Sequence, residues 1–232
     1  MSVRRRLSKE IIWIWFLYLG AGYLNALTLL LFSETAVGQT GRMTNMVNYF
    51  FQSDFTMAFQ LLLLSLSFLA GSIISGLIFS RNDFNPTNKY IGWIAIVSGL
   101  GLVIVDFLPD ASNMIIYYIS LMLGIQNSLY VSYRDSSVSS TALTSVFSNF
   151  GSAIGSVIRG EEESRQRVLF FSVDILSHIV GAALCLSVSL YSDYLLLEVG
   201  TLIYLIIGLY FFVFRDDFTI DGSSVGEGSI KE

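Results

Sequence analysis

Charged residues are scarce in this chain: they make up 13% of it, whereas hydrophobic residues make up 53%. Soluble globular domains carry roughly 25% charged residues, so this composition excludes an ordinary soluble domain and predicts an integral membrane protein. The same scarcity excludes a concentrated basic face, and we therefore expect no nucleic-acid partner. The net charge of −5 says little about partners, since most acidic residues fall in predicted loops and near the end of the chain.

Cysteine and histidine are nearly absent. A single cysteine, Cys185, excludes an intramolecular disulfide. The only histidine is His178, and one histidine with one distant cysteine does not make a metal site. The sequence also lacks a Walker A loop and a nucleophile paired with a base. We therefore expect no cofactor, no metal and no catalytic residues, so that the protein is not an enzyme.

Long apolar runs are abundant instead. Six of them are long enough to be bilayer crossings, which need about 20 residues each. They cover residues 11–32, 56–80, 90–108, 112–131, 168–190 and 195–214. The first run is longer than the apolar core of a signal peptide, which usually has about 7–15 residues. It also has no small-x-small cleavage site. Both features favour a membrane span. The sequence predicts an all-α membrane protein with six transmembrane helices.

Two polar segments separate some of these runs, at residues 35–52 and 134–160. Both can form helices, but they are too hydrophilic for lipid exposure, because polar groups need partners inside a bilayer. They carry Arg42, Asn45, Asn48, Arg134 and Arg159. Each segment is re-entrant, interfacial or fully spanning, and the sequence alone leaves these alternatives open.

Lysine and arginine predict the orientation, because they are retained on the cytoplasmic side of a membrane. With six spans and two non-spanning polar segments, twelve of the thirteen Lys and Arg residues fall on one side, and only Arg42 falls on the other. If both polar segments crossed, Arg81 and Lys89 would change sides and this bias would weaken. We expect a multi-pass protein of the bacterial inner membrane with both termini cytoplasmic.

The stretch from Gly22 to Asn45 recurs in degraded form from Gly124 to Asn149. The repeat divides the chain into a basic N-terminus (1–10), two three-span halves (11–108 and 109–215) and an acidic, disordered tail (216–232). Because three crossings are an odd number, the second half enters the membrane upside down, and the two halves form an inverted repeat. The polar segments then approach from opposite faces, as expected around a midplane site in a secondary transporter; two amphipathic helices at the interface are the alternative.

The repeated residues resemble the YoaK-like family of bacterial membrane proteins, whose members are six-span proteins of unknown function. The resemblance spans residues 11–214 and is carried by four motifs: Gly22-x-x-Asn25-Ala26, Gln39-Thr40-Gly41, Gly124-x-Gln126-Asn127-Ser128, and Thr141-x-x-Thr144 with Gly151 beyond. The family pattern has asparagine where Arg42 stands and Thr-Gly where Thr144-Ser145 stand. This chain therefore places a cation at a neutral position and loses a glycine that allows close backbone approach.

Uncharged polar residues of the two copies, together with one guanidinium, are the candidate substrate-binding groups, since unpaired polar groups at membrane depth cost several kcal/mol each. The set comprises Asn25, Gln39, Thr40, Arg42, Thr44, Asn45, Asn127, Thr141, Thr144, Ser148 and Asn149. Asn25 and Asn127 serve equally well as hydrogen-bonding links between helices. Arg42 either contacts lipid headgroups or faces a central cavity, where it would bind an anionic solute or pair with Asp174.

Asp174 and His178 lie four residues apart on one face of the fifth span. Ionisable residues inside a span often mark a proton or ion path, so the pair is a candidate relay. The alternative is that Asp174 extends toward Arg165 or Arg167 while His178 bonds a neighbouring helix. Small residues predict close helix packing: Ala70, Gly71, Ser75 and Gly76 in the second span, Gly181, Ala182 and Ala183 in the fifth, and Gly151 and Gly155 in the second polar segment.

Two classes of function fit these features. The first is a secondary-transporter-like carrier of a small solute or ion, with its site between the polar segments. The second is a non-transporting membrane scaffold or partner-binding subunit, whose polar segments lie at the interface. The lipid bilayer is a partner in both.

Overall fold

Eight α-helices and one short hairpin form the described part of the computed structural model, which comprises residues 9–79, 88–108, 111–129, 131–133, 136–138, 141, 143–162, 164–193 and 195–218. In chain order they are α1 (Lys9–Phe32), α2 (Gln39–Phe51), α3 (Phe55–Ile78), α4 (Lys89–Asp106), α5 (Ala111–Asn127), β1 (Val131–Tyr133), β2 (Ser136–Val138), α6 (Leu143–Ile158), α7 (Ser164–Ser189) and α8 (Leu195–Phe214). The strands pair antiparallel, and a 3₁₀ turn, Arg215–Asp217, follows α8.

Five helices are long and apolar enough to cross a membrane: α1, α3, α4, α7 and α8. Much of their apolar surface faces outward, and Leu77 of α3, for example, is 81% exposed. An outward apolar surface on helices of this length is typical of contact with lipid. The chain is therefore a multi-pass integral membrane protein of helical architecture, as predicted.

The fourth predicted span is shorter than expected. It was predicted to end at residue 131, but α5 ends at Asn127, and its 17 residues fall below the length of the other five. The side chain of Asn127 accepts a hydrogen bond from the Thr141 hydroxyl, which holds the end of α5 against the chain that enters α6. The predicted polar segments contain the two shorter polar helices, α2 and α6.

The first and last helices run antiparallel. Tyr23 in α1 donates a hydrogen bond to the carbonyl of Leu196 at the start of α8 (2.7 Å). At the opposite end of the pair, Lys9 forms a salt bridge with Asp217 just beyond α8. The beginning of α1 and the end of α8 therefore lie at the same end of the bundle.

The other long helices alternate with them in direction. α5 runs against α1, α3 runs parallel to α5, α4 runs against α8, and α7 runs parallel to α1. For the first three pairs of helices, the contacts that define these directions are Gln126–Leu17 and Ser120–Ala36, Ser120–Leu64 and Ser72–Gly124, and Thr201–Gly99 and Gly208–Gly92. For α1 and α7 the direction follows from the side chains that interact electrostatically, Tyr18 with Asp174 and Tyr23 with Cys185. Along the chain, α1, α3, α4, α5, α7 and α8 consequently point up and down in turn.

The two halves of the chain use the same packing pairs. α1 packs on α7 as α5 packs on α3, α2 packs on α3 as α6 packs on α7, and α1 packs on α8 as α5 packs on α4. α4 and α8, which are counterparts of each other, pack together. Apart from a small α7–α8 contact, this set of packing pairs is unchanged when the first four helices are exchanged with the last four.

Glycines at the α1–α7 and α3–α5 crossings repeat this correspondence residue by residue. A Cβ on Gly22 would lie 2.1 Å from the carbonyl oxygen of His178, and one on Gly124 would lie 2.1 Å from that of Phe68. From the opposite helices, a Cβ on Gly181 would lie 2.0 Å from the carbonyl oxygen of Leu19, and one on Gly71 would lie 2.0 Å from that of Leu121. These backbones are thus in direct contact, and the predicted packing role of Gly71 and Gly181 is confirmed.

The predicted packing role of Gly76, Gly151 and Gly155 is wrong for the described part of the chain. A Cβ on any of the three would meet no atom within 4 Å. Gly151 and Gly155 have the spacing of a helix-packing motif, but they lie on a face of α6 that no described element covers. Spacing alone does not determine which face of a helix is buried.

Several predictions lie outside the described residues. They concern the basic residues at positions 4–6, Arg81, Arg134 and Lys231, and most of the acidic tail, from residue 219 onward.

Candidate functional site

A cavity of about 450 Å³ lies where the chain enters the two short helices. Both halves of the protein contribute to its wall. The first half supplies Asn25, Thr35, Gln39, Thr40 and Gly41, and the second half supplies Asn127, Thr141, Thr144 and His178, with Val37, Phe68 and Leu143 as apolar neighbours. The wall contains no aspartate, glutamate, lysine or arginine among the described residues, so it is polar without being formally charged.

The first turn of α2 opens directly into this cavity. Its N-cap residue, Gly38, has no side chain to bond the first amides. The backbone N–H groups of Thr40 and Gly41 have no hydrogen-bond partner among the described residues, and both residues line the cavity. A helix start leaves such N–H groups without intrahelical partners and carries a partial positive charge of about half an elementary charge. This end of the cavity therefore presents backbone donors to whatever fills it.

Asn25 and Asn127 hold the two entering segments in the same way. The side-chain oxygen of Asn25 accepts from the backbone N–H of Val37 (3.4 Å), and that of Asn127 accepts from the Thr141 hydroxyl. Because the oxygen of Asn25 faces a donor, its NH₂ group is the part of the side chain left for another contact. No described group accepts a hydrogen bond from that NH₂.

His178 and Phe68 occupy corresponding places in the two halves. The carbonyl of His178 lies against Gly22 of the crossing helix, and the carbonyl of Phe68 lies against the matching Gly124. His178 is 7% exposed and its Nδ1 has no hydrogen-bond partner among the described residues. Gln39 shares this property: its side-chain nitrogen is buried without a partner. The cavity wall thus contains two buried side-chain nitrogens, one of His178 and one of the half-buried Gln39, without a hydrogen-bond partner among the described residues.

Arg42 lies behind the cavity wall rather than in it. It is 1% exposed, which rules out both of its predicted environments, the lipid headgroups and the open cavity. Its Nη2 donates to the carbonyl of Thr35, a cavity residue, while Nε and Nη1 have no partner among the described residues. An arginine side chain stays protonated in proteins, so Arg42 is cationic, and Glu34 is close enough to interact with its charge.

A family model described as "Protein of unknown function (DUF1275)" matches residues 13–210 of this chain. The chain belongs to this family. Membership of DUF1275 confirms the prediction of an uncharacterised family, and it covers both halves and every wall residue of the cavity. No curated protein and no solved structure matches the chain.

The structure places seven of the thirteen predicted site residues of this DUF1275 chain around one cavity: Asn25, Gln39, Thr40, Asn127, Thr141, Thr144 and His178. Four others lie farther along α2 and α6, beyond the first turn: Thr44, Asn45, Ser148 and Asn149. Thr44 bonds the carbonyl of Thr40 one turn back (3.1 Å), and like Asn45 and Ser148 it is exposed. The remaining two are the buried Arg42 and Asp174.

Asp174 is completely buried on α7, one turn before His178, and does not line the cavity. Trp15 and Tyr18 of α1 lie beside its carboxyl group. The predicted contact with Arg165 is not made, since that arginine pairs with Glu162 (2.9 Å) at the end of the helix. The ion pairs of the described residues do not include Arg42 with Asp174. Asp174 and His178 share a helix face, but the predicted relay through them stays a prediction.

Six cavity residues were not predicted as site residues: Thr35, Val37, Gly38, Gly41, Phe68 and Leu143. Phe68 could have been predicted from the sequence, because the alignment that matches Gly71 with Gly181 also matches Phe68 with His178. Gly38 and Gly41 could not, since a glycine that contributes a backbone N–H to a cavity looks in sequence like any loop or helix glycine.

Proposed function

We propose that the protein spans the membrane six times as an inverted repeat. Five helices have the required length and composition, and α5 is the sixth. The alternating directions of these helices support the proposal, as does the salt bridge between Lys9 and Asp217, which lies where α1 begins and α8 ends, at one end of the bundle. Each half has three crossings, and because three is an odd number, the second half enters the membrane in the opposite direction to the first. The matching packing pairs of the two halves fit this arrangement.

In this arrangement α2 and α6 do not cross the membrane. The helix directions support this placement: α3 runs against α1 and α7 runs against α5, so neither α2 nor α6 crosses between them. At 1.5 Å per residue, their 13 and 16 residues give lengths of about 20 and 24 Å, below a hydrocarbon core of about 30 Å, although length alone does not separate α6 from the 17-residue α5. We place them as re-entrant helices that enter from opposite faces. The positive-inside bias then supports cytoplasmic termini in a bacterial inner membrane.

We propose further that the protein is a secondary-transporter-like carrier of a small solute. The observation that carries this proposal is the cavity at the meeting point of the two halves, lined by the matching residues Asn25 and Asn127 and by the matching threonines Thr40 and Thr144. Carriers built from inverted repeats bind their solutes at such interfaces, against the ends of interrupted helices. The cavity of about 450 Å³ lies toward the small end of the volumes that are usual for ligand sites, roughly 300–1,000 Å³. No catalytic step is part of the proposal.

Access to the cavity from both faces tests this function. In a Cys185→Ser background, single cysteines at positions 40 and 144 are treated with a membrane-impermeant thiol reagent in right-side-out and inverted vesicles. The carrier predicts that each cysteine reacts from both faces, because the cavity opens alternately. A cysteine at Ile73, on the exposed side of α3, is the matched control for reagent leakage through the bilayer.

Labelling of each position from one face only would contradict a carrier. It would favour the second candidate function, the non-transporting scaffold. One observation also favours a scaffold: an apolar groove between α2 and α3, lined by Phe50, Phe55 and Phe59, remains uncovered within the described chain.

A further inference from the structure

We propose that the solute is a small oxyanion, a carboxylate or an inorganic oxyanion, bound between the first turn of α2 and His178. The inference rests on the proposed carrier function and names the class of solute for the same cavity. Three observations carry it: the donors in the wall, the charges around it, and the positions at which the two halves differ.

The wall offers donors in excess of acceptors. The backbone N–H groups of Thr40 and Gly41 and the side-chain nitrogen of Gln39 have no acceptor in the described chain. The oxygen of Asn25 is already occupied by Val37, which leaves its NH₂ group. A histidine ring carries at least one N–H in either protonation state. An oxyanion supplies several acceptors at once, whereas a cation would find no carboxylate in this wall.

The electrostatic environment has the matching sign. The N-terminus of α2 contributes a partial positive charge, and anions are regularly bound at such helix starts. Arg42 adds a full positive charge next to the wall residue Gly41 in the chain. Its Nη2 donates a hydrogen bond to the carbonyl of Thr35, which is also a wall residue. Neither Nε nor Nη1 of this arginine has a described partner. Glu34 interacts with its charge but forms no ion pair with it among the described residues.

Departures from the repeat favour the same ligand. The matching register pairs Gln39 with Leu143, Arg42 with Val146 and His178 with Phe68, and both Arg42 and Val146 are buried. In each pair one half has an apolar residue that satisfies packing, while the other half has an N–H donor. Because the fold tolerates the apolar residue, packing alone does not explain the donors.

Gly41 allows a test that does not disturb the fold. A Cβ at this position would meet no atom within 4 Å, so a side chain can extend into the cavity. Gly41→Asp places a carboxylate where the solute is proposed to bind, and Gly41→Asn places a group of the same shape without the charge. Purified protein is titrated calorimetrically with sodium sulfate, sodium phosphate and sodium acetate, and with tetramethylammonium chloride and sorbitol as cationic and uncharged controls.

We expect saturable binding of at least one oxyanion and none of either control. Gly41→Asp should weaken this binding at least tenfold relative to Gly41→Asn, through repulsion between like charges. His178→Phe, which copies the residue of the other half, should also weaken it. Sulfate and phosphate stabilise folded proteins in general, so the difference between the two Gly41 variants is the decisive quantity.

Equal affinities of the two Gly41 variants, or binding of tetramethylammonium in place of the oxyanions, would overturn the inference. The outcome is separable from that of the carrier proposal. Access of thiol reagent from both faces without oxyanion binding leaves a carrier of another solute class, and oxyanion binding with access from one face leaves an anion site without transport.

Discussion

Replacement of Gly22 or Gly124 by alanine should be among the most damaging single-methyl changes in this protein. The added Cβ would lie 2.1 Å from a backbone carbonyl oxygen of the crossing helix. Contacts closer than 3.0 Å essentially do not occur for real Cβ atoms, so the two backbones must separate by about 1 Å. Overpacking of this kind costs about 1–3 kcal/mol, and here it acts between backbones, which cannot rotate out of the way.

Gly76→Ala and Gly151→Ala are the matched controls, because their added Cβ atoms meet no described atom within 4 Å. Glycine in a helix is roughly 0.5–1 kcal/mol less favourable than alanine, so the controls should be slightly more stable than the parent. The two classes should differ by about 1.5–4 kcal/mol, or roughly 3–16 °C in melting temperature for a chain of this length. The assay is thermal unfolding of purified protein in one detergent. Equal melting temperatures of Gly22→Ala and Gly76→Ala would refute the described helix crossing.

Three further predictions concern topology, Arg42 and a buried hydrogen bond. Reporter fusions at residue 110 should report the extracytoplasmic side and fusions at Glu162 the cytoplasmic side; a cytoplasmic result at residue 110 would contradict the six-span arrangement. Arg42→Met should leave the solute-free protein as stable or about 1 kcal/mol more stable, since a buried charge with unused N–H groups is replaced by an apolar chain. It should nevertheless weaken oxyanion binding, and a large loss of melting temperature would show that Arg42 has a structural partner instead. Tyr204→Phe removes the donor to the side-chain oxygen of Gln126 (2.6 Å) and should cost about 1–3 kcal/mol in thermal unfolding, whereas an unchanged melting temperature would argue against this bond.

Sequence reasoning located most helices because the physical signal for a membrane helix is strong. A run of about 20 apolar residues has few alternatives in a bilayer, where backbone groups must bond within the helix. The same reasoning misplaced the end of α5 because residues 128–131 are apolar enough to continue a span. α5 ends at Asn127, whose side chain accepts a hydrogen bond from Thr141, fourteen residues away, and such a contact has no local signature.

The candidate site was predictable in part for a similar reason. Asn25, Asn127, Thr40 and Thr144 stand at matching positions of two copies, so the repeat itself draws attention to them. The depth of a side chain depends on which face of a short helix is packed, and Arg42 shows the difficulty. Arg42 lies in a polar segment, yet its side chain is buried, as is that of Val146 at the matching position of the second copy. The polarity of the segment does not reveal that Arg42 is buried.

The glycines show what spacing can and cannot predict. Gly71 and Gly181 lie at backbone contacts, as small residues within spans predict. Gly151 and Gly155 have an equally suggestive spacing but lie on an open face of α6. The difference is set by tertiary packing, since the same pattern serves any helix that approaches, from this chain or from another.

The most direct test of the central claim, that the cavity between the two halves carries a small oxyanion across the membrane, is a charge-displacement measurement. Proteoliposomes of the parent and of Gly41→Asp are adsorbed on a supported membrane and exposed to rapid jumps of sulfate, phosphate and acetate at constant ionic strength. We predict a saturable transient current for at least one oxyanion in the parent and its loss in Gly41→Asp. Absence of current for all three, in protein that binds one of them in solution, would contradict the carrier.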